Sequence, residues 1–527
     1  MCLRFGKLNS LKIINVKTTT HLKPTRLWKC WLPRALVAFA MAIAILPPGS
    51  ARAASDPIKA FCIDFNWGEG GPNGFAKPGL WADASPEEHV AWYGGLGCNI
   101  IQTFAVSCNG YAWYKGGRVP PQPGLKYDFL ADTVKLGHSR GMKVMGYFCV
   151  GANTLWGQTH TNLSYEAPSS PHIPFTTEYL DYLCASIEDA LQRTSMDGFM
   201  IDWVWNPGDL DGTRLRWLGC EQQMYLELIG EAFPGKDKIT PESELEFRRR
   251  AIDRCWERIR TTTKRENPDA VIWLSCCNVS SPVVVNSKLF KEVDWFMNEA
   301  TDPKTFRQVA GMKGPHTRLV QCVVGWGDAH DARRILSGGA ARDLGIYGFA
   351  KPGHNSLPLP IVEYRSRSIE SFQGNDRNIA VLARYYTGAS LEIVVPQEPD
   401  GRIKLLPGTA TLHGTSPVVT DNQIGHWDNP DDWVEWTVDV QKPGRFEVKI
   451  EYACAQTLGG STFTLKAGDR AFELVSEETG SWRNYRTFTV GQMNIVAAGR
   501  QPVAIMPSNK SPWKAISLKS VVLVPVP

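Results

Sequence analysis

A (β/α)8 barrel followed by an all-β sandwich is the fold this sequence predicts, and three observations predict it. Between Ile58 and about Ser390, eight short β-rich runs alternate with amphipathic helical stretches, the pattern of a parallel sheet covered by helices, and eight units favour a closed barrel over an open doubly wound sheet. The connections are lopsided, tight from helix to strand and long from strand to helix. From about Leu391 the helices stop and short alternating strands take over, which indicates a β-sandwich.

The eight runs are Ala60 to Phe65, Asn99 to Phe104, Lys143 to Val150, Gly198 to Val204, Val271 to Cys277, Val293 to Met297, Leu319 to Val324 and Gly345 to Phe349. The helices between them carry start and stop signals. Ser85-Pro86-Glu87-Glu88 reads as a capping box with proline at the first helical position, and Gly97 closes that helix. Leu180, Leu183, Ile187 and Leu191 recur at helical spacing. So do Leu245, Ile252, Trp256 and Ile259 after the Thr240-Pro241 start, a helical rather than a strand period. Long joints such as Asn66 to Ala84, Ala105 to Lys126, Gly151 to Phe175 and Trp205 to Ile239 all follow strands. They gather at the carboxyl ends of the strands, the face where barrel enzymes assemble their sites. Past the barrel, Trp433 to Val440, Arg445 to Tyr452, Ser461 to Leu465, Tyr485 to Val490, Pro502 to Ile505 and Ala515 to Leu523 read as strands.

Ahead of the barrel, Met1 to Ala53 carries nine Lys or Arg and no acid. Its apolar run Ala35 to Leu46 is broken by Pro47-Pro48-Gly49 before the small-residue site Ala51-Arg52-Ala53. This is the pattern of a secretory signal. Twelve apolar residues fall short of the roughly 20 that span a bilayer. The organisation expected is therefore a signal peptide at 1–53, a barrel at 54–390 and a sandwich at 391–527. The mature chain is expected to be exported, periplasmic or extracellular, without a membrane span.

The full chain of 527 residues is 43% hydrophobic and 21% charged, which excludes a disordered or collagenous chain. Its formal charge is +4. Removing the nine leader cations leaves 48 basic residues against 53 acidic ones, a balance of −5 that disfavours nucleic acid as a partner. Cys2 and Cys30 leave with the leader, and the remaining cysteines are odd in number. Cys62, Cys149, Cys276, Cys277 and Cys322 sit in apolar runs and read as small buried hydrophobes. The sequence holds no C-x-x-C pair, Walker loop, G-x-S-x-G, H-E-x-x-H or complete G-x-G-x-x-G, and His160, His316 and His354 make no metal or triad spacing.

Carboxylates at strand ends carry the chemistry. Asp197-Gly198-Phe199-Met200-Ile201-Asp202-Trp203 is an apolar strand whose final acid emerges at the barrel mouth between Trp203 and Trp205. A strand-terminal aspartate with flanking indoles suits attack on an anomeric carbon; the plainer alternative is an aspartate capping its own loop. Asp197, at the other end, reads as structural. Cleaving a glycosidic bond needs a second acid to protonate the leaving oxygen. Glu299, just past the sixth strand, is placed to reach across the mouth, against the alternative of a solvated loop glutamate near Asp302; Glu69 and Glu166 are reserves on long loops. Asp64, Asn66, Gln102, Asn278, Asp328 and Lys351 lie where they could bond sugar hydroxyls, although any one alone reads as satisfying a buried neighbour. Trp67, Trp113, Trp156 and Trp326 add aromatic surface near this face, although a core role fits each of them at least as well.

Phe65-Asn66-Trp67-Gly68 after the first strand, a Gly-Cys-Asn entry to the second, and the fourth-strand Asp-Gly-Phe-Met-Ile-Asp-Trp resemble α-L-fucosidase-like glycoside hydrolases. The resemblance implies a (β/α)8-like barrel with a following β-sandwich, action with retention, Asp202 as nucleophile and an acid/base near the sixth strand, in agreement with Glu299. Two departures stand out. The family's His-His-Asp-Gly-Phe-like stretch is Ala105-Val106-Ser107-Cys108-Asn109-Gly110-Tyr111 here, without either histidine, and its His-Trp-Gly is Asn66-Trp67-Gly68. They fit a divergent glycosidase with another sugar preference. Pro443-Gly444-Arg445-Phe446 and Gly480-Ser481-Trp482-Arg483-Asn484-Tyr485 are similar to β-sandwich carbohydrate-binding modules. That similarity implies room for a structural calcium ion and for a sugar site, with Trp427, Trp433 and Trp482 as stacking candidates and Trp482 expected in the core.

Two functions follow as expectations. One is an exported glycoside hydrolase acting on an oligo- or polysaccharide without a required cofactor, in which Asp202 attacks and Glu299 moves the proton, with Asp64, Asn66, Trp67, Gln102, Trp203, Trp205, Asn278, Trp326 and Lys351 as substrate contacts. The other is a non-catalytic carbohydrate-binding protein on a degenerate barrel.

Overall fold

The computed structural model describes residues 56–527 except 69–74, 166–171, 205–216, 277–278, 286, 300–302, 326–331, 338–343, 415, 421, 468–469, 509–512 and 527. The leader at 1–53 and Trp205, Asn278, Trp326, Asp328, Glu69, Glu166 and Cys277 lie outside the described residues.

Eight parallel strands close into a barrel in sequence order: β1 (Lys59–Ile63), β2 (Ile100–Gln102), β3 (Lys143–Cys149), β4 (Gly198–Asp202), β5 (Val271–Cys276), β6 (Trp295–Asn298), β7 (Arg318–Val324) and β8 (Gly345–Ala350). The strands are almost wholly buried, as a sheet filled on the inside and covered by helices outside requires. The seam between β1 and β8 runs in parallel register from Lys59–Ile346 to Ile63–Ala350. Tyr386, at the end of the helix Gly374–Tyr386, places its hydroxyl 2.9 Å from the Ala60 carbonyl and 2.8 Å from that of Ile346, one oxygen on each side of that seam.

The helices begin and end where local chemistry dictates. Ser85 accepts the Glu88 N–H and Gly97 ends the first helix at φ 94°, a left-handed position glycine takes without a Cβ penalty. Thr240 caps the helix Pro241–Glu266 by accepting the Ser243 N–H. On that helix Ile252, Trp256 and Ile259 are buried, and on Thr177–Thr194 so are Leu180, Leu183, Ile187 and Leu191.

Beyond Tyr386 the described residues form twelve strands: β9 (Val394–Pro396), β10 (Ile403–Leu405), β11 (Thr411–His413), β12 (Val418–Thr420), β13 (Gln423–Gly425), β14 (Trp433–Val440), β15 (Gly444–Ala453), β16 (Thr462–Ala467), β17 (Arg470–Val475), β18 (Arg486–Ile495), β19 (Gly499–Pro507) and β20 (Ser517–Val526). One sheet runs β12-β13-β20-β15-β18 with β10 on β20. The other runs β11-β14-β19-β16-β17 with β9 on β14. Their inner faces alternate with solvent-facing residues; along β14, Val434, Trp436, Val438 and Val440 point into the sandwich core, the period of two that a half-buried strand requires. Trp482 overturns the expectation of core packing: it is 42% exposed, whereas Trp427 is fully buried and donates its Nε1–H to Asp432 O. Trp433 faces outward, its ring stacked on His413 at 3.6 Å.

Barrel and sandwich form one compact unit spanning Asp56–Pro527. Arginines on barrel helices fasten them together: Arg333 donates to Ala410 O and Thr411 Oγ1, and Arg377 to Gly408 O. Among the described residues all ten cysteines are free, nine of them buried, and no helix is long and apolar enough to cross a membrane.

Candidate active site at the barrel mouth

Three acids stand at the carboxyl ends of their strands, and each is set there by its neighbours. Asp64 follows β1; its N–H donates to Ala350 O of β8 (2.9 Å), and its Oδ1 accepts the Asn66 N–H (2.8 Å), a turn in which the aspartate side chain stands in for a backbone carbonyl. Asp202 is the last residue of β4. Its Oδ2 accepts from the Tyr147 hydroxyl at 3.0 Å and its Oδ1 from the Trp203 N–H at 2.8 Å. That second bond accompanies a left-handed Trp203, φ 58°, a conformation few bulky residues adopt and one that clusters at functional sites. Glu299 follows β6; its N–H donates to Cys276 O (3.3 Å) and its Oε1 accepts from Ser275 Oγ at 2.5 Å.

These carboxyls feel one another. Burial pushes Asp202 well above the usual carboxylate range, and the charge on Glu299, then that on Asp64, pushes it further against the pull of Trp203 N–H and the Tyr147 hydroxyl. Burial likewise raises Glu299, opposed by Ser275. Asp64 is pushed up to about 7, by burial first, with the Asn66 N–H pulling it down and Glu299 raising it. Acids this close cannot all ionise freely, so the mouth retains a proton to higher pH than isolated carboxyls would. One ionised and one neutral carboxyl in the same mouth are what acid/base work on a glycosidic bond requires.

The other sequence-predicted residues divide. Trp67 is half-buried beside Asp64. Trp203 is half-buried and meets Phe75 edge-on at 5.6 Å. Lys351 is exposed just past β8. Asn66 is buried, and its Oδ1 is taken up by the Cys108 N–H, tying the β1 loop to the β2 loop. Gln102 is buried, with Oε1 accepting from the Tyr347 hydroxyl and Nε2 donating to Thr103 O. Both amides thus spend hydrogen bonds on the protein itself. Trp113 is buried, stacked on Phe65 at 4.1 Å, and Trp156 is buried and stacked on His160. Asp197 lies at the opposite end of β4, accepting from Val144 N–H and bonded to the His138 ring. Among the described residues no group of three or more His, Cys, Asp or Glu side chains gathers as a metal site.

Sequence reasoning passed over Tyr147 and Ser275, the two hydroxyls that hold the acids. The available signal was a hydrogen-bonding residue on the inner face of an otherwise apolar strand, in Lys143–Cys149 and in Val271–Cys276.

Residues 85–203, which end one residue past Asp202, match the family model described as hypothetical glycosyl hydrolase 6, so this part of the barrel is glycoside-hydrolase-like. Residues 409–525 match a domain of unknown function. No curated protein matches the chain. Among solved structures the chain is similar to α-L-fucosidase isoenzyme 2 from Paenibacillus thiaminolyticus, at 10% identity and a TM-score of 0.42 over 86% of this chain and 100% of that one. It is similar also to the isomalto-dextranase of Arthrobacter globiformis T6, at 11% identity and a TM-score of 0.33 over 89% and 96%. A family 35 carbohydrate-binding module from Clostridium thermocellum matches 24% of this chain and 98% of its own, at 10% identity and a TM-score of 0.20.

Proposed function

We propose that this protein is an exported glycoside hydrolase that cleaves an O-glycosidic bond with retention at the barrel mouth. The observation that carries the reading is the placing of Asp202 at the end of β4 and Glu299 just past β6, two strands apart in one closed barrel, with the charge on Glu299 helping to raise Asp202. The match of the Asp202 strand to a glycosyl hydrolase model supports it. In the first step the Asp202 carboxylate attacks the anomeric carbon, the bond to the leaving oxygen breaks, and Glu299 gives that oxygen its proton. In the second, Glu299 takes a proton from water as the water oxygen displaces Asp202, releasing the sugar and restoring both acids. Retention by this route corresponds to carboxyl groups roughly 5 Å apart. Trp67 and Trp203 offer half-buried indole surface to the ring. Export follows from the leader pattern, with Ala54 as the first residue of the mature chain.

A panel of aryl glycosides with differing leaving groups tests this reading. Asp202→Asn is expected to abolish turnover. Glu299→Gln is expected to slow substrates with poor leaving groups by about 10²–10⁴-fold and to spare those with good ones. Equal turnover by the native protein and Asp202→Asn would remove the nucleophile. Sugar binding without turnover by either protein would make the barrel a carbohydrate-binding scaffold instead.

A further inference from the structure

The two hydroxyls that hold the acids occupy equivalent places. Across the β3–β4 pair, Cys149 faces Asp202, and Tyr147 is two residues earlier. Across β5–β6, Cys276 faces Asn298, so Ser275 lies two positions below the level of Glu299. In a strand, residues two apart share a face, which turns each hydroxyl toward the acid on the next strand. Both are buried. Their bonds differ in one respect. Both oxygens of Asp202 are occupied by donors, Trp203 N–H and Tyr147 O–H, whereas Glu299 accepts at Oε1 from Ser275 and its Oε2 has no protein partner among the described residues. Burial and the charge on Glu299 favour a proton on Asp202, and the donors at both of its oxygens pull the other way, toward the anion; a carboxyl with a free oxygen can carry a proton there. Tyr147 Oη also lies 3.7 Å from Cys108 Sγ. With the single phenol hydrogen given to Asp202, the thiol is the donor at that contact.

Resting on the hydrolase reading above, we propose that Tyr147 and Ser275 are positioning residues that assign the two roles. Tyr147 favours the carboxylate form of Asp202 against the burial that disfavours it, so that Asp202 can attack, and Ser275 anchors Glu299 by Oε1 so that Oε2 presents the proton to the leaving oxygen.

The test is the pH profile of kcat/KM on the turned-over aryl glycoside, compared among native protein, Tyr147→Phe, Ser275→Ala and Asp202→Asn. The titratable groups around Asp202 are Asp64, Glu299, Tyr147, Cys108 and Cys149. Tyr147→Phe is expected to lower kcat roughly 10- to 100-fold, the worth of a hydrogen bond to a charged group, with KM little changed and the acid limb moved to higher pH. Ser275→Ala moves the alkaline limb to higher pH instead and impairs poor leaving groups most. A loss of packing alone moves neither limb. Should Tyr147→Phe fail to fold, 3-fluorotyrosine at 147, a stronger donor of nearly the same shape, is expected to move the acid limb down. Unmoved limbs in folded variants, with Asp202→Asn inactive, overturn the positioning roles and leave the hydrolase standing; an active Asp202→Asn removes the hydrolase itself.

Discussion

Asp64 shows what the mouth costs the fold. Its carboxyl, ordinarily near 3.8, is pushed to about 7 chiefly by burial, so the native state holds that proton more tightly than the unfolded chain does. The stabilising contribution is complete below the unfolded value, near pH 4, and is lost as pH rises through about 7. Asp64→Asn retains an oxygen for the Asn66 N–H and has no charge to bury. It is expected to match the native protein at pH 4 and to exceed it at pH 8 by up to about 2 kcal/mol, allowing for partial contact with solvent. Thermal melts at both values check this, and an offset independent of pH would contradict it. A gain in stability at pH 8 accompanied by lost activity is the exchange expected where a site is held in a strained or charged state for function.

At the level of elements, β4 depends on a glycine at its root. A Cβ on Gly198 would lie 2.1 Å from Val271 O and 2.6 Å from its N. Both are backbone atoms of β5 that cannot give way singly. Gly198→Ala is expected to cost at least about 1–3 kcal/mol and to lower turnover as well, because Asp202 ends the same five-residue strand. Chemical denaturation and kinetics read the two effects separately, and an Ala variant of native stability would show that the strands can part. The barrel was legible in the sequence because all eight of its strands are apolar runs bounded by turn signals. The sandwich was legible where strands are long and alternating, as in β14. Three-residue strands such as β9 and β11 carry too little pattern, and β17, exposed or half-exposed at every position from Arg470 to Val475, lacks a clean inner face. Asp64, Asp202 and Glu299 lie at strand ends, where the sequence places them. Tyr147 and Ser275 were missed because a hydroxyl inside a barrel strand looks like filling until register shows which acid stands above it. Asn66 and Gln102 carry the opposite lesson: both lie at the correct face, and both spend hydrogen bonds within the protein.

For the whole molecule, the arginine contacts make the sandwich part of the barrel's support. Arg333 is 6% exposed and serves Ala410 O, while the neighbouring Asn378 Oδ1 accepts the Ala332 N–H. Arg333→Ala strands a buried carbonyl and is expected to cost about 1–3 kcal/mol. Barrel and sandwich have separate cores joined by these contacts, so Arg333→Ala is expected to lower the melting midpoint; an unchanged midpoint in calorimetry would contradict this. The short helix bearing Arg333 follows β7, and Asn375, on the last barrel helix, bonds both Gly325 N–H and Phe349 O at the ends of β7 and β8. The sandwich therefore holds the helices that follow and brace β7 and β8, the two strands after β6 in the barrel order. A proteolytic nick that loosened the sandwich would leave every acid in the chain and remove part of what braces their barrel, and trimming the gene to its barrel would discard a buttress along with an accessory.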